Sequence, residues 1–326
     1  MHDNAERLLI DQLETGVEKM LRGERVTPAR ETAALMGIAS DLRDLPRESF
    51  LARLEQELIQ EGEHMLATEK EIREGFHTVT PYVVTKQVNA IAEFLKQAFG
   101  AEQTFASPET GSGGGYHYEF RVGHSMLMVG GATNYPGPEI TPSLHYFVSD
   151  VDEAYHRAIA AGATSSHEPI DQSYGVREAS VNFAGVDWYL STPMKNEQGR
   201  ETLGVGDLAA YLHPKGAGEL IDFMKRAFGA EEMEVYREPA GSGPIVHAKI
   251  RIQDSIIELG EAHGQYQPRP TMLFLYVDDA DDWFNRAVAA GAQVSTPMGD
   301  LPYGRTGAVK DAHGNLWHVC TPPAPK

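Results

Sequence analysis

A chain of 326 residues exceeds the roughly 100 to 200 residues of one ordinary domain, so two or three domains are expected. Hydrophobic residues at 41% and charged residues at 23%, with no apolar run long enough to span a bilayer, describe a globular protein and exclude a membrane-embedded one. The net charge of −19 is spread evenly and argues against nucleic acid as a partner, while the single cysteine, Cys320, excludes a disulfide framework and any multi-cysteine metal site.

Residues 1–77 read as amphipathic helices. Leu9, Leu13, Val17 and Met20, and later Leu51, Leu54 and Leu58, recur at helical spacing. Thr27 before Pro28 makes a helix start, and Pro46 opens a second charged helix running towards Glu74. No chemistry-bearing motif occurs there, and His2, His64 and His77 read as surface histidines. The segment is expected to pack on the rest of the chain or on a second chain, with partner recognition as the alternative. Its acidic start lacks the basic, then apolar, order of a secretory signal, so a cytoplasmic location is expected.

From residue 78 the chain repeats itself. Phe99-Gly100-Ala101-Glu102 recurs as Phe228-Gly229-Ala230-Glu231, Ala161-Gly162-Ala163 as Ala290-Gly291-Ala292, Tyr174-Gly175 as Tyr303-Gly304, and Trp188 as Trp317, each 129 residues on. A period of that length is a duplicated domain and too long for a solenoid. The expected boundaries are 78–198 and 199–326.

Each copy divides again. A short apolar run, Tyr82-Val83-Val84 or Ala210-Tyr211-Leu212, leads into a helix that closes on Gly100 or Gly229, the expected stop residue. Alternating strands follow, such as Ile245–Ile252 and Ile256–Glu261 around Gln253-Asp254-Ser255. A second run, Leu144–Val148 or Met272–Val277, leads into a second helix ending at Gly162 or Gly291, with more strands after it. The glycines at 111–115 and 241–243 lie between strands and lack the Lys-Ser/Thr of a phosphate-binding loop, so they read as hairpin loops. No Ser-His-Asp or Cys-His order stands in a recognisable context, which argues against a nucleophilic hydrolase.

Strand alternation assigns faces. In the second copy Ile250, Ile252, Ile257 and Leu259 share one side, while His247, Lys249, Arg251 and Glu258 share the other. Depending on which residues form the turn, Glu258 sits across from Lys249 or Arg251. In the first copy Tyr118, Phe120, Val122, Leu127 and Val129 oppose His117, Glu119, Arg121, Met126 and Met128. Tyr82 and Tyr211, His117 and His247, and Tyr174 and Tyr303 match between copies. They are candidate ligand contacts, since tyrosine offers an apolar face with a polar tip. Arg177 and Arg305, beside the Tyr-Gly pairs, are candidate carboxylate or phosphate clamps, with a surface or hairpin-closing charge as the alternative.

The twofold β-α-β-β-β order in each copy, the FGAE and AAGA helix ends, the Tyr-Gly turn and the final DAHGNLWHVCTP strand together resemble the vicinal oxygen chelate superfamily, which includes glyoxalases, bleomycin-resistance proteins and extradiol dioxygenases. The resemblance covers residues 78–323. It implies an α+β fold of two tandem glyoxalase-like domains, each of paired βαβββ modules forming a curled sheet around a small molecule, behind a helical N-terminal region. Metal-dependent members take ligands from the first and last strands of each module. Those slots fall near Thr80, Met128, Ser143 and Tyr189 in the first copy, and near Ala209, Glu258, Met272 and His318 in the second. Only Glu258 and His318 are competent, with His213 as a possible third, so the expected cofactor is none or one divalent ion in the second domain. Three readings remain open: a small-molecule-binding protein without metal, a metal-dependent lyase, isomerase or dioxygenase, and a scaffold acting through its N-terminal helices. The chain is expected as a monomer or homodimer.

Overall fold

The protein is described by a computed structural model covering residues 15, 19, 75–107, 115–134, 136–172, 175–194, 207–239, 241–264 and 266–323. Residues 69–326 form one compact unit and residues 1–68 another. Of the latter, Thr15 and Lys19 are helical and exposed; the other helices expected there lie outside the described residues.

The larger unit is four βαβββ modules. The first runs β1 (Val79–Val84), α1 (Val88–Phe99), β2 (Glu102–Ser107), β3 (Tyr116–Val122) and β4 (Ser125–Gly131). The second is β5 (Ser143–Phe147), α2 (Val151–Ala160), β6 (Thr164–Asp171), β7 (Val176–Phe183) and β8 (Val186–Pro193). The third is β9 (Leu208–Leu212), α3 (Ala217–Phe228), β10 (Glu231–Arg237), β11 (Ile245–Ile252) and β12 (Ser255–Leu259). The fourth is β13 (Met272–Tyr276), α4 (Ala280–Ala289), β14 (Gln293–Leu301), β15 (Gly304–Lys310) and β16 (Leu316–Thr321).

The helices stop and start where their residues dictate. Gly100 and Gly229 adopt φ of 64° and 67° and close α1 and α3 by donating back to the last turn. Asp150 and Asp279 cap α2 and α4, each accepting at 3.0 Å from the backbone N–H three residues on.

Two eight-stranded curled sheets result, and each is shared between the copies. The first sheet has the order β14-β15-β16-β13-β1-β4-β3-β2, and the second β10-β11-β12-β9-β5-β8-β7-β6. Antiparallel pairs β1–β13 and β5–β9 are the seams. The seams are tied reciprocally by the hairpin tips. Val79 N–H donates to Ser255 Oγ at 2.8 Å, and Leu208 N–H donates to Ser125 Oγ at 3.0 Å. His77 and Thr78 also bind the Asp254 carboxylate. Burial pushes that carboxyl up, yet the hydrogen bonds from His77 and Thr78 more than offset it and hold it well below its usual range.

The helix-covered cores follow the copies instead. Each copy buries one apolar cluster beneath its own two helices. Their centres match ring for ring. Phe94, Phe99 and Trp188 in the first copy correspond to Phe223, Phe228 and Trp317 in the second, with 4.8 Å between the centroids of Phe99 and Trp188 and of Phe228 and Trp317. Sequence copies are therefore the packing units, whereas each concave sheet face draws residues from both copies. Among the described residues no helix is long and apolar enough to cross a membrane.

Candidate functional site

On the first sheet, the side opposite the helices is largely apolar. Met126, Met128, Phe274, Tyr276 and Cys320 form a buried cluster, joined by Phe76 from the segment entering β1. The Phe76 ring meets Tyr276 edge-on at 5.3 Å, so the chain fills this face with its own side chain. Its polar members are Tyr82, whose Oη lies 2.9 Å from His117 Nδ1, and Glu119, whose carboxylate lies 3.2 Å from His117 Nε2. His318 stacks parallel to Phe274 at 6.0 Å, and burial lowers its pKa to about 4, so it is neutral at pH 7.

The second sheet presents a different face. Alternation in β5 sends Leu144 and Tyr146 into the core and turns Ser143, His145 and Phe147 the other way. His145 Nε2 lies 2.7 Å from Ser191 Oγ on β8, and His145 Nδ1 is in close contact with Glu258 Oε2 on β12. All three residues are buried. Burial disfavours charge on both His145 and Glu258, but each favours the other's charged form more strongly: the histidine pKa is raised and the carboxyl pKa lowered. When protonated, the ring donates from both nitrogens, to Glu258 and to Ser191.

The other Glu258 oxygen, Oε1, is buried with no hydrogen-bond partner among the described residues. An orphaned buried acceptor of this kind costs about 1 to 3 kcal/mol, more when charged. Lys249 is the register partner of Glu258 because the turn is Gln253-Asp254, which pairs Ile252 with Ser255. Its ammonium turns instead to Glu234 at 3.5 Å.

Aromatic rings surround this centre. Tyr189 and Tyr211 meet at 5.4 Å, Tyr211 and His213 at 4.9 Å, and His213 stacks on Tyr266 at 5.2 Å. Tyr189 Oη lies 3.0 Å from His213 Nε2, and burial with the nearby Arg269 guanidinium lowers the His213 pKa to about 4. Tyr211 Oη lies 3.2 Å from His247 Nδ1, and the His247 ring stacks towards half-exposed Tyr236 at the sheet edge. Burial lowers the His247 pKa as well.

The structure brings four of the candidate residues into two contacts, Tyr82 with His117 and Tyr211 with His247, one on each face. It does not bring Glu258 to His318. Glu258 is on β12 in the second sheet and His318 on β16 in the first, because the copies exchange strands. His213 does share the face of Glu258. Arg177 and Arg305 are engaged within the fold: Arg177 forks onto Asp152 and reaches Asp171, and Arg305 does the same with Asp281 and Asp300. Neither fork is open to a ligand in this arrangement. Tyr303 is exposed at the β14–β15 turn, and Tyr174 lies outside the described residues.

His145, Ser191 and Tyr266 also belong to this face, and no motif in the sequence marks them. The alternation Ser143-Leu144-His145-Tyr146 was the available signal for His145.

The donors present do not fit a divalent ion. Both His145 nitrogens and His213 Nε2 are already committed to protein partners, and no group of three His, Cys, Asp or Glu among the described residues is placed to hold a metal.

Paired βαβββ modules closing two curled sheets, with polar and aromatic side chains on a concave face, define a protein of the glyoxalase-like class. The family model described as Glyoxalase/Bleomycin resistance protein/Dioxygenase superfamily matches residues 75–185 and 215–319. The chain belongs to that superfamily. Uncharacterized proteins of Mycobacterium bovis and Mycobacterium tuberculosis are 32% identical over 127 residues, covering 35% of this chain and 82% and 74% of theirs. Glyoxalase I from Zea mays superposes with a TM-score of 0.56 at 12% identity, covering 74% of this chain and 91% of that one. A candidate dioxygenase of Bacillus subtilis gives 0.51 at 16% identity, covering 77% and 86%. At these identities the two structures speak for the fold.

Proposed function

We propose that this protein binds a small aromatic molecule on the concave face of the second sheet, without a divalent ion. The observation that carries this reading is the ring layer of Tyr189, Tyr211, His213 and Tyr266 over a buried polar centre. Binding sites combine apolar ring walls with a few fixed polar groups, and this face has both. On the first sheet Phe76 packs over the corresponding face, and Tyr82 and Glu119 are both engaged with His117. The site is composite: Tyr189 and His145 come from the first copy, and Tyr211, His213 and Glu258 from the second.

A thermal-shift screen of small aromatic compounds tests the reading, because a ligand of the native state raises its apparent stability. Stabilisation is expected, and Tyr211→Ala or His247→Ala should weaken it. Wild-type shifts in both variants would refute the assignment. A second reading, an enzyme moving a proton without metal, is favoured by the Ser191–His145–Glu258 chain of contacts. Turnover abolished by Glu258→Gln in a variant that still binds ligand would support it.

A further inference from the structure

Resting on the binding reading above, we infer that the ligand is an uncharged, flat molecule whose ring carries an N–H or O–H donor, and that it delivers this donor to Glu258 Oε1. Three observations converge on that class.

The first is the unmet demand of the site. One oxygen of a fully buried carboxylate is held by His145 and the other by nothing among the described residues. A carboxylate oxygen accepts and does not donate, so the complementary group must bring a hydrogen. The protein has not filled the position from its own inventory. Lys249, the nearest cation by register, lies directly opposite on β11 but turns its ammonium to Glu234.

The second is the charge already in place. Glu258 is balanced by the His145 imidazolium on one side, and the Lys249 ammonium stands on the neighbouring strand. A cationic ligand would meet these two positive groups in a site of low dielectric, and an anionic one would meet the bare oxygen. His213 and His247 on this face are held neutral by burial, while the charged groups around them are paired with each other, Lys249 with Glu234 and Arg269 with Asp187. A neutral donor is the species that none of these groups opposes.

The third is the route. Tyr211 stands between Glu258 and Ser143 in the same row of the sheet, as register partner of both. Tyr189, His213 and Tyr266 lie around it, several of these rings already arranged edge-to-face or stacked, so a ligand beside Tyr211 meets a layer of rings. A flat ring joins such a layer at ordinary contact distance, whereas a branched aliphatic group of similar volume does not.

Indole and N-methylindole make the matched probes, since they share ring shape and differ in the N–H. Binding to the full-length protein is measured by calorimetry, with benzamidine and benzoate as the cationic and anionic comparisons. Indole should bind, N-methylindole should bind about ten- to a hundredfold more weakly, as expected for losing a bond to a charged group, and both charged rings should bind more weakly than indole. In Glu258→Gln, checked for folding by circular dichroism, the indole to N-methylindole ratio should fall to a few-fold. The wild-type comparison stands whether or not that variant folds. Equal affinity for indole and N-methylindole, as solvent at Oε1 would give, overturns the inference and leaves the binding reading intact. Tighter binding of benzamidine or benzoate also overturns it. If none of the four binds, the inference fails, and if the wider aromatic screen shows no shift either, the binding reading fails with it.

Discussion

Replacing His145 by alanine removes the partner of a carboxylate that is wholly inside the protein. Glu258 Oε2 then joins Oε1 in having no hydrogen bond, and Ser191 Oγ loses its 2.7 Å contact. Breaking a buried pair from one side costs about 3 to 5 kcal/mol, since the remaining charge is uncompensated. For a unit of this size, with a urea slope of about 3 kcal/mol/M, the midpoint should fall by about 1 to 2 M. Chemical denaturation followed by far-ultraviolet circular dichroism reads this directly. The double variant His145→Leu/Glu258→Met should recover most of the loss, because replacing both charges by apolar groups removes the desolvation penalty as well.

The pH dependence has a definite sign. The raised His145 pKa gives stability that is full below the unfolded value of 6.5 and lost as pH rises through the folded value. The lowered Glu258 pKa gives stability that is full above 4.5 and lost as pH falls through the folded value. The cost of His145→Ala should therefore be greatest between about pH 4.5 and 6.5 and shrink in alkali. A loss below about 1 kcal/mol at pH 6, in the range of an exposed pair, would refute the account of a buried, charged couple.

Three further expectations concern buried groups of the first sheet and the absence of a metal requirement. Asp311 is buried and accepts from His313 N, Asn315 N, Asn315 Nδ2 and Trp317 Nε1 at 2.8 to 2.9 Å, so Asp311→Ala should destabilise by about 2 to 4 kcal/mol in urea melts; the orphaned donors carry the cost, and a loss under about 1 kcal/mol would contradict it. Cys320 is fully buried and burial raises its thiol to about 11, so a thiol reagent at pH 8 should label it at the rate of unfolding, and complete labelling of the native protein within minutes would contradict its placement. Ligand-induced thermal shifts should be unchanged after exhaustive treatment with a chelator, and their disappearance with restoration by a divalent ion would show that the donor set has been misjudged.

Much of the fold was legible in the residues because the repeat and the alternation are local signals. The Gly100 and Gly229 stops and the opposed faces of β11 and β12 all depend on residues within one copy. Strand exchange was not legible. β5 carries the pattern of a central strand in either arrangement, and only the long-range seams with β9 and of β1 with β13 decide which half-copies share a sheet. That is why Glu258 and His318 looked like companions and lie in separate sheets.

His145 was passed over because Ser143, two residues earlier on the same face, took the position assigned to the superfamily's ligands. A period of two cannot choose between them. Arg177 and Arg305 pair with Asp152 and Asp281, which lie 25 and 24 residues earlier in the same module, at the start of helices that fold back over the strands, a contact that neither the strand alternation nor the Tyr-Gly turn signals. The difference expected between the copies rested on Glu258 and His318 acting together in the second copy, and they lie in separate sheets; what differs is the two shared faces.

The composite nature of the second face is tested most directly by indole calorimetry on three single variants. Tyr189→Ala from the first copy and Tyr211→Ala from the second should each weaken binding at least tenfold, while Tyr82→Ala, on the other sheet, should leave it unchanged. Loss of binding in Tyr82→Ala with wild-type affinity in Tyr189→Ala would place the site on the first sheet and contradict the account.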